Sequence, residues 1–439
     1  MATTKIYSTL SATGADNKKF TFSCWFKRDV FGGTNRILHS TNAGTTFQYL
    51  MFNTSDQLTT YNQYSGSSGG ELTTTRKFRD PGAWYHLVWI WDTANAAAGD
   101  RQQFWINGVR ETVFSGEAQP SLNQAGSVNS GNTTYIGGND ASTQYFSGLM
   151  SHINFAGDQV YLPSTFGETD ATDGMWKINT SPSVDYSVNG YFLKMEDSSN
   201  LDLDSSGEGR VFTTAGTLTA TKDNPSNNFC TLNPLSHYYT EVPTLSNGNT
   251  VVTDSTDSWC GSTMGFDTGK YYWEIKVTGG VECVVGVLKQ GVTNYDGTGW
   301  LGVSVTGVYG FNAYSGAKIT DGTSASYDSA ISATNVINVA MDATAGSLYI
   351  GVNGTWLQSS NPSTSTSPMI SSMGTDFMWV PFSTVSTTGG DTFNNYNFGN
   401  GVFGTTSITD AGTNASNNGL FEYDVPTGYT ALSTKGLNS

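Results

Sequence analysis

The stretch TGKYYWEIKVTGG, residues 268–280, shows the pattern that decides the fold. Successive side chains of a β-strand point to opposite faces of the sheet, so every second residue shares a face. One face carries an apolar set that we predict to be core: Tyr271, Trp273, Ile275 and Val277. The other face carries Tyr272, Glu274 and Lys276. We expect Glu274 to be a solvated strand carboxylate rather than a general acid.

The same period of two recurs in FTFSCWFKR, residues 20–28, and in WYHLVWIWD, residues 84–92. Asn-Gly pairs follow aromatic strand candidates at 107–108 and at 353–354. Asn-Gly between alternating segments is a strong hairpin signal, because both residues accept a positive φ. Short strands separated by turns, with no convincing helix between them, indicate β-sandwiches.

The composition agrees with this interpretation. The 439 residues include 51 Gly and 11 Pro, and aromatic and charged residues each make up 13%. Aromatic side chains suit a pleated sheet, and Gly suits tight turns. The length is sufficient for two or three domains. The fold class that we predict is all-β.

The net charge of −16 at pH 7 disfavours a general nucleic-acid binder, because phosphate contacts require clustered Lys and Arg. It also disfavours anionic membrane surfaces. The opening residues lack the apolar segment of a signal peptide, and no apolar run is long enough to span a bilayer. We therefore predict no nucleic-acid partner, no membrane insertion and no signal peptide.

The cysteines have wide spacings that match no metal-binding CxxC pattern. Cys24 lies on the apolar face of its predicted strand, which indicates a buried thiol. Cys260 and Cys283 could meet on paired strands. The interpretation that we adopt is that all four cysteines, Cys24 and Cys230 included, are reduced.

Three regions follow from these patterns. Residues 1–157 and 251–439 are predicted sandwiches. Residues 158–250 are rich in Asp, Asn, Ser and Pro and contain isolated aromatic side chains. A flexible linker would lack such anchors, so we predict an ordered, irregular connector there. The predicted anchors are Phe166, Trp176, Tyr186, Tyr191 and Phe192.

The first region resembles the laminin-G-like or concanavalin A-like lectin/glucanase superfamily. The motifs that carry this resemblance are FTFSCWFKR, WYHLVWIWD, FWINGVR, YIGG and FSGLMSHINF. The last region resembles the SPRY domain, in GKYYWEIKV, GVYGFNAY, VINVAMDATAGSLYIGVNGTW, PFSTV, NFG and PTGYTAL. The resemblance implies two concanavalin A-like jelly-roll sandwiches joined by the connector.

The connector resembles a segment of structural proteins of marine bacteriophages. The shared motifs are YSVNGYFL, DSSG and DNPSNNFCTLNPL. This resemblance implies a virion surface protein, such as a tail fibre, spike or capsid fibre, that is made in the host cytoplasm and released by lysis. Its expected partners are other virion proteins and a host-surface glycan or protein. We expect a homo-oligomer, with a trimer as one candidate, formed through sandwich faces or the connector.

Catalytic motifs are absent from the sequence. Glucanases of this fold resemble one another in an E-x-D-x-x-E strand that holds two carboxylates on one face, and Lys276 stands where its Asp would be. No G-x-S-x-G elbow occurs. His86 alternates away from the core face and is predicted to be structural. We therefore expect no enzyme, with a polysaccharide hydrolase as the third-ranked function.

A calcium ion is the one cofactor that we consider. DLDSSGEG, residues 202–209, is similar to a calcium loop, with Asp202 and Asp204 as candidate ligands, but Thr213 replaces the bidentate Glu. Turn chemistry alone also explains this composition. Laminin-G-like domains often bind calcium through loop carboxylates, which makes Asp140 a further candidate.

Sugar-binding platforms need exposed aromatic side chains. The candidates from the sequence are Tyr61, Tyr64, Tyr145, Tyr295, Trp300 and Tyr314. Each has the alternative of being a core or subunit-contact residue. Two hypotheses remain: attachment to a host-surface glycan or protein, and a purely structural capsid or tail decoration that binds other virion proteins. Burial of these aromatics between subunits would favour the second.

Overall fold

The structure is a computed structural model that describes residues 3–12, 15–42, 44–237, 243–254, 257–280, 282–292, 305–386 and 392–439. The chain divides into two units, Met1–Ala220 and Thr221–Ser439. Both are built almost entirely of antiparallel strands, which confirms the predicted all-β class. The division falls inside the segment predicted as a connector.

The first unit contains two 3₁₀ turns, Ala98–Asp100 and Pro163–Thr165. Its strands are β1 Lys5–Thr9, β2 Lys19–Arg28, β3 Asn35–Thr41, β4 Phe47–Phe52, β5 Gln57–Tyr64, β6 Ser67–Ser68, β7 Glu71–Lys77, β8 Tyr85–Asp92, β9 Gln102–Ile106, β10 Val109–Arg110, β11 Phe114–Ala118, β12 Thr133–Ile136, β13 Gly148–Gly157, β14 Gly167–Thr169, β15 Trp176–Ile178, β16 Tyr191–Leu193 and β17 Thr213–Ala215.

Two sheets form the sandwich of the first unit. Sheet A has the order β11-β7-β5-β4-β3-β12-β1-β17, with β6 paired to β5, and sheet B has the order β10-β9-β8-β2-β13-β16. The alternating stretches supply the core between them. Phe20, Phe22, Cys24 and Phe26 from β2 pack with Leu87, Trp89 and Trp91 from β8. The β14–β15 ribbon is separate.

Segment 158–220 belongs to the first unit because it completes both sheets. β16 pairs with β13 in sheet B, and β17 pairs with β1 in sheet A. The predicted aromatic anchors Phe166, Tyr186 and Phe192 are buried. Segment 221–250 joins the second unit, where its strand β18 (Leu232–His237) is an edge strand.

The second unit contains 3₁₀ turns at Leu357–Ser359 and Pro362–Thr364 and the short helix α1, Thr434–Leu437. Within the described residues, no helix has the length and apolar character needed to cross a membrane. After β18, its strands are β19 Thr244–Ser246, β20 Val251–Asp254, β21 Ser258–Ser262, β22 Lys270–Gly279, β23 Val284–Lys289, β24 Val308–Asn312, β25 Ala317–Thr320, β26 Thr323–Ser326, β27 Val336–Asp342, β28 Ser347–Val352, β29 Thr355–Trp356, β30 Trp379–Val385, β31 Thr392–Asn397, β32 Val402–Phe403, β33 Thr406–Ser407 and β34 Thr430–Ala431.

The second sandwich has the same layered plan. Sheet C has the order β18-β21-β30-β23-β24-β25-β26, and sheet D has the order β19-β20-β31-β22-β27-β28-β29, with β34 parallel to β22. The β32–β33 hairpin is separate. The predicted core face of β22 is confirmed, because all its members lie in the core between these sheets: Tyr271, Trp273, Ile275 and Val277.

The expectation of a solvated Glu274 is wrong. Its side chain is 0% exposed, because a C-terminal segment around Phe421, Val425 and Tyr429 packs across that face of sheet D against Tyr272. Strand alternation separates two faces, but it does not show whether a later segment covers the second one.

The Glu274 carboxylate fixes this covering segment. It accepts hydrogen bonds from Glu422 N at 2.9 Å and Tyr423 N at 2.8 Å in the segment. It also accepts from Asn397 Nδ2 at 3.1 Å and from Tyr272 Oη at 3.0 Å. Burial raises the Glu274 pKa to about 7, although these hydrogen bonds act in the opposite direction.

The four cysteines are free, as predicted, and all are buried, which the sequence had predicted only for Cys24. Cys260 lies on β21 opposite Ser383 of β30, and β23 pairs with the other edge of β30. One strand therefore separates β21 from β23, and the strand that follows Cys283 begins at Val284. The possible meeting of Cys260 and Cys283 on paired strands is wrong for this reason.

Candidate functional site

A row of aromatic side chains crosses the outer face of sheet A. Residues Ile6, Leu38 and Leu50 point into the core, so their strand neighbours point outward. Cross-strand pairing links β1 to β12, β12 to β3, β3 to β4 and β4 to β5. We call the resulting set the aromatic row: Tyr7, Tyr135, His39, Tyr49, Tyr61 and, beside Tyr49 on β4, Phe47.

The rings of the aromatic row contact one another in two groups, Tyr7–Tyr135–His39 and Phe47–Tyr49–Tyr61. The ring centroids of Tyr7 and Tyr135 lie 5.4 Å apart, and those of Tyr135 and His39 lie 6.1 Å apart. Tyr61 lies 5.9 Å from Tyr49 and 5.8 Å from Phe47. These separations are typical of interacting aromatic pairs. All the rings except His39 are half-buried, so the row presents a partly exposed aromatic surface.

Two cations brace the aromatic row. The Arg36 guanidinium lies 3.9 Å from the Tyr49 ring centroid, and its Nε donates to Gln144 Oε1 at 2.8 Å. The Lys5 ammonium lies 4.9 Å from the Tyr135 ring centroid. Cation–π contacts and the side-chain hydrogen bond limit the rotamers available to Tyr49 and Tyr135. The surface is thus largely pre-formed.

His39 contributes no charge to the row at neutral pH. Its burial lowers the imidazole pKa to about 4, and repulsion from Arg36 acts in the same direction. Asp140 Oδ1, 3.6 Å from Nδ1, opposes this shift only in part. A neutral, half-buried aromatic surface can stack on the apolar face of a sugar ring, while tyrosine hydroxyls donate or accept hydrogen bonds.

Three predicted site residues lie in or beside the aromatic row. Tyr61 is a member of it. Asp140 lies next to His39, and its charge also acts on Tyr135. Tyr145 lies beside Gly138, where Lys5 also packs. Tyr61 lies on β5 at one end of the row, whereas Asp140 and Tyr145 lie near His39 and Lys5 in its other half.

The other predicted aromatics do not join the row. Tyr64 is two residues beyond Asn62 on β5, so it points to the face opposite Tyr61. Tyr314 is 53% exposed and belongs to the second unit. Tyr295 and Trp300 lie outside the described residues.

The predicted calcium ligands Asp202 and Asp204 already accept protein hydrogen bonds. Asp204 Oδ1 accepts from the backbone N–H of Phe192 and Ser206, each at 3.0 Å, and Oδ2 accepts from Arg210 N at 2.9 Å. Asp202 Oδ2 accepts from Thr214 Oγ1 at 2.6 Å. In this structure the DLDSSGEG loop holds itself together by turn chemistry.

The loop around Asp140 holds a protein cation. Lys5 Nζ donates to the Asn139 carbonyl and to Ser142 Oγ, the latter at 3.2 Å. An ammonium group here uses oxygen atoms that a calcium ion would require. The part of the chain that the structure describes holds no cluster of three or more His, Cys, Asp or Glu side chains suited to a metal ion.

Sequence reasoning missed most of the row: Tyr7, His39, Phe47, Tyr49 and Tyr135. FQYLMF, residues 47–52, carries a usable signal, because its aromatic Phe47 and Tyr49 alternate with Gln48 and Leu50. The alternation alone did not show that β12 lies between β1 and β3 in the same sheet. That pairing depends on contacts between residues more than 90 positions apart.

A buried Ser–His pair resembles hydrolytic machinery but is arranged differently. His86 Nε2 lies 2.9 Å from Ser23 Oγ, and Trp176 Nε1 donates to His86 Nδ1 at 3.0 Å. Burial lowers the His86 pKa to about 3. Because Nδ1 accepts, the neutral ring carries its proton on Nε2 and donates to Ser23, so it is not a base for that hydroxyl.

The environment of His86 supports the structural role predicted for it. Its ring lies 4.9 Å from Trp25 and 5.9 Å from Trp176, stacked between the two indoles. His86 is 0% exposed. The Trp176 contact holds segment 158–220 against sheet B, and Ser23 is buried beneath it.

Two family models match the chain. Residues 2–159 match the model described as the Concanavalin A-like lectin/glucanases superfamily, and residues 270–373 match the SPRY domain. The chain therefore carries a concanavalin A-like domain and a SPRY domain, which confirms both predicted resemblances. Lectin-like and SPRY domains often serve as binding or protein-interaction modules.

Several solved structures are similar to parts of the chain. The SPRY domain of human HERC1 is 14% identical over 38% of this chain and 96% of its own, with a TM-score of 0.30. The TRIM65 PSpry domain is 15% identical over 38% and 89%, with a TM-score of 0.29. A heptameric SAP-like pentraxin from Limulus polyphemus is 15% identical over 35% and 75%, with a TM-score of 0.25. Among curated proteins, none matches the sequence.

Proposed function

We propose that this protein is a non-enzymatic attachment protein of a virion surface that binds a host-surface glycan through its aromatic row. The observation that carries the proposal is the row itself. Five half-buried rings, with the buried His39 among them, lie on the outer face of sheet A, and the loop at 139–145 packs beside His39 and Arg36. Surface aromatics arranged contiguously mark interaction sites.

The chemistry of the row favours carbohydrate that carries no charge. Stacking requires flat apolar surface, which Phe47, Tyr49 and Tyr61 provide together. The net charge of −16 disfavours long polyanions. Arg36 is stacked on Tyr49, its Nε is hydrogen-bonded to Gln144 and its Nη1 is buried, so it is poorly placed to bind an acidic sugar.

A glycan array tests this assignment. We expect the intact protein to bind neutral oligosaccharides, and we expect Tyr61→Ala to reduce that binding about ten-fold or more, since aromatic stacking contributes on the order of 1–3 kcal/mol per ring. Tyr314→Ala, which removes an exposed tyrosine of the other unit, is the matched control and should leave binding unchanged. An equal loss of glycan binding in both variants, or no binding to any glycan, would show that the aromatic row is not a glycan-binding site.

The virion location rests on the resemblance of segment 158–250. Immunogold electron microscopy with an antibody against residues 251–439 tests it on purified particles. Label on tail tips or projecting fibres would support attachment. Label spread over the capsid would support a decoration protein, and absence of label on every particle would end the virion proposal.

The second candidate, a structural decoration, uses the same observation. A half-buried aromatic face is also what a second copy or another virion protein would cover. Sedimentation of the Tyr61→Ala variant separates the two functions: a change of oligomeric state with unchanged glycan binding would favour decoration. Release of reducing sugar from a polysaccharide would instead support the third-ranked function, a polysaccharide hydrolase.

A further inference from the structure

The aromatic row crosses sheet A at a right angle to its strands. Five of its members occupy directly opposed positions on neighbouring strands: Tyr7, Tyr135, His39, Tyr49 and Tyr61. Strands in a sheet lie about 4.8 Å apart, so these five positions span roughly 19 Å. The row is therefore much longer than a single sugar ring, and its long axis lies across the strands.

The half-buried rings of the row form two platforms on either side of β3. The first platform, on β1 and β12, consists of Tyr7 and Tyr135, and the second, on β4 and β5, consists of Phe47, Tyr49 and Tyr61. His39, the member on β3, is buried between them. The middles of the two platforms are three strand spacings apart, about 14 Å. A ligand must be longer than a disaccharide to stack on both.

A line of hydrogen-bonding side chains runs beside the aromatic row. Its members lie two positions further along β1, β12, β3 and β5: Thr9, Thr133, Thr41 and Gln63. Thr9 Oγ1 and Thr133 Oγ1 lie 3.0 Å apart. Gln63 is half-buried, and its side chain forms no hydrogen bond with any residue that the structure describes. Hydroxyl and amide groups both donate and accept hydrogen bonds, so this polar line offers partners for sugar hydroxyls at the edge of each platform.

The loop at 139–145 bounds the other side of the row. Lys5 Nζ donates to Ser142 Oγ at 3.2 Å, and Arg36 is hydrogen-bonded to the same loop. His39 is neutral, because burial lowers its pKa to about 4. The charged groups nearest the rings are thus engaged by protein contacts or uncharged, which favours a ligand without charge.

We propose that the aromatic row binds a linear, extended chain of neutral sugars that lies across the strands of sheet A and stacks on both platforms. This inference rests on the proposed glycan-binding function and adds the shape and the minimum length of the ligand. A chain with equatorial linkages, such as a β-1,4-linked glucan or chitin, is extended and exposes the apolar faces of its rings for stacking. Its edge hydroxyls would face the polar line. A compact glycan would cover one platform only.

A series of chain lengths tests the proposal on the intact protein. We expect cello- or chito-hexasaccharides to bind about ten-fold or more tightly than the disaccharides of the same series, because the second platform adds stacking contacts to an already bound chain. Malto-oligosaccharides, whose axial linkages make the chain coil, should gain less affinity from the same increase in length. Isothermal titration calorimetry measures these affinities.

Two variants assign the effect of chain length to the platforms. Tyr61→Ala, in the second platform, should weaken the binding of disaccharides and hexasaccharides alike. Tyr135→Thr removes a ring of the first platform but keeps a side chain suited to a strand. It should weaken hexasaccharide binding about ten-fold more than disaccharide binding. Tyr314→Ala, in the other unit, is the control and should keep the full dependence on length.

Several results would overturn the proposal without removing glycan binding by the row. Equal affinity of the intact protein for disaccharides and hexasaccharides would show that the ligand occupies one platform, on one side of β3. A dependence on length that Tyr135→Thr leaves intact, or binding of other glycans but of no linear chain, would also contradict it. Absence of binding to every glycan, in the series and on the array, would instead contradict the proposed function itself.

Discussion

Glu274 illustrates how much a single side chain depends on distant parts of the chain. It lies on β22, yet two of its hydrogen bonds come from backbone N–H groups about 150 residues later in the sequence, at Glu422 and Tyr423. The alternation of residues 271–277 predicted its strand and its face. Nothing local in that stretch indicated the segment that buries it.

Replacing Glu274 by Gln should destabilise the protein by about 1–3 kcal/mol, since leaving a buried hydrogen-bond donor without an acceptor costs roughly this free energy. Both carboxylate oxygens accept from donors, so the amide NH₂ of Gln would face a donor in either orientation. Denaturant unfolding measures the loss. Glu422→Gln is the matched control, because only its backbone contacts Glu274, and it should change the free energy of unfolding little.

The difference in the free energy of unfolding between the wild type and Glu274→Gln should depend on pH, with a definite sign. Burial raises the Glu274 pKa in the folded protein to about 7, above its ordinary value of 4.5. The folded state thus prefers the protonated form, so the contribution of Glu274 is full below pH 4.5 and declines as the pH rises towards 7. The advantage of the wild type over Glu274→Gln should shrink across this window in unfolding experiments. An advantage that grows with pH would show that the hydrogen bonds, not burial, control the pKa.

At the scale of elements, the Asn-Gly hairpins formed where the sequence predicted them. Asn107 and Gly108 have φ values of 49° and 78°, and Asn353 and Gly354 have 48° and 77°. The turn residues determine such local geometry, so the sequence suffices to predict it. The β14–β15 ribbon and β17 were harder to predict, since their strands are three residues long and lie in a segment rich in turn residues.

Gly108→Ala should cost more stability than Gly66→Ala. Both glycines occupy the second position of a two-residue turn with positive φ, 78° and 82°. A Cβ at Gly108 would lie 2.4 Å from Trp176, whereas a Cβ at Gly66 meets no atom within 4 Å. Strain from the left-handed conformation, about 1–2 kcal/mol, is common to both variants. The larger loss of stability in Gly108→Ala therefore measures the clash of the new Cβ with Trp176.

Thermal unfolding of the two variants measures this difference. We expect Gly108→Ala to lose at least about 1 kcal/mol more than Gly66→Ala, because overpacking a buried contact costs about 1–3 kcal/mol. Equal losses would mean that Trp176 moves freely, and that segment 158–220 is not held against sheet B by this contact.

At the scale of the whole molecule, residues 1–220 form one unit, and its stability depends on segment 158–220. β16 extends sheet B, and Trp176 covers His86. A protein ending at residue 157 would expose this face of sheet B, including Trp25 and His86. We expect residues 1–220 to unfold cooperatively and residues 1–157 to aggregate, as measured by circular dichroism and light scattering. A soluble, cooperative 1–157 protein would contradict this.

The thiols provide a second test at this scale. Burial raises the pKa of Cys24 and Cys260, and it raises that of Cys283 to about 12. Because thiolates react and buried thiols do not, we expect the native protein to be inert to Ellman's reagent and the denatured protein to react at four thiols. Rapid reaction of the native protein with the reagent would show that at least one of the hydrophobic cores is accessible to it.

The proposed binding surface, the aromatic row, was predicted only in part. Tyr61, Asp140 and Tyr145 were recognised as loop or strand-end candidates, but the row that connects them depends on the order of strands in sheet A. Period-two alternation does not encode that order, since β1, β12 and β3 are neighbours in space and distant in sequence. Fold class and hairpins depend on local chemistry, whereas this site depends on long-range pairing.

The most direct test of the aromatic row is NMR of the protein labelled with ¹³C-tyrosine, titrated with the best neutral glycan from the array. We predict that the ring signals of Tyr49, Tyr61 and Tyr135 shift together on saturation, while those of Tyr64 and Tyr314 stay unchanged. Shifts confined to Tyr64 or Tyr314, or row signals that respond only to protein concentration, would contradict glycan binding by this surface.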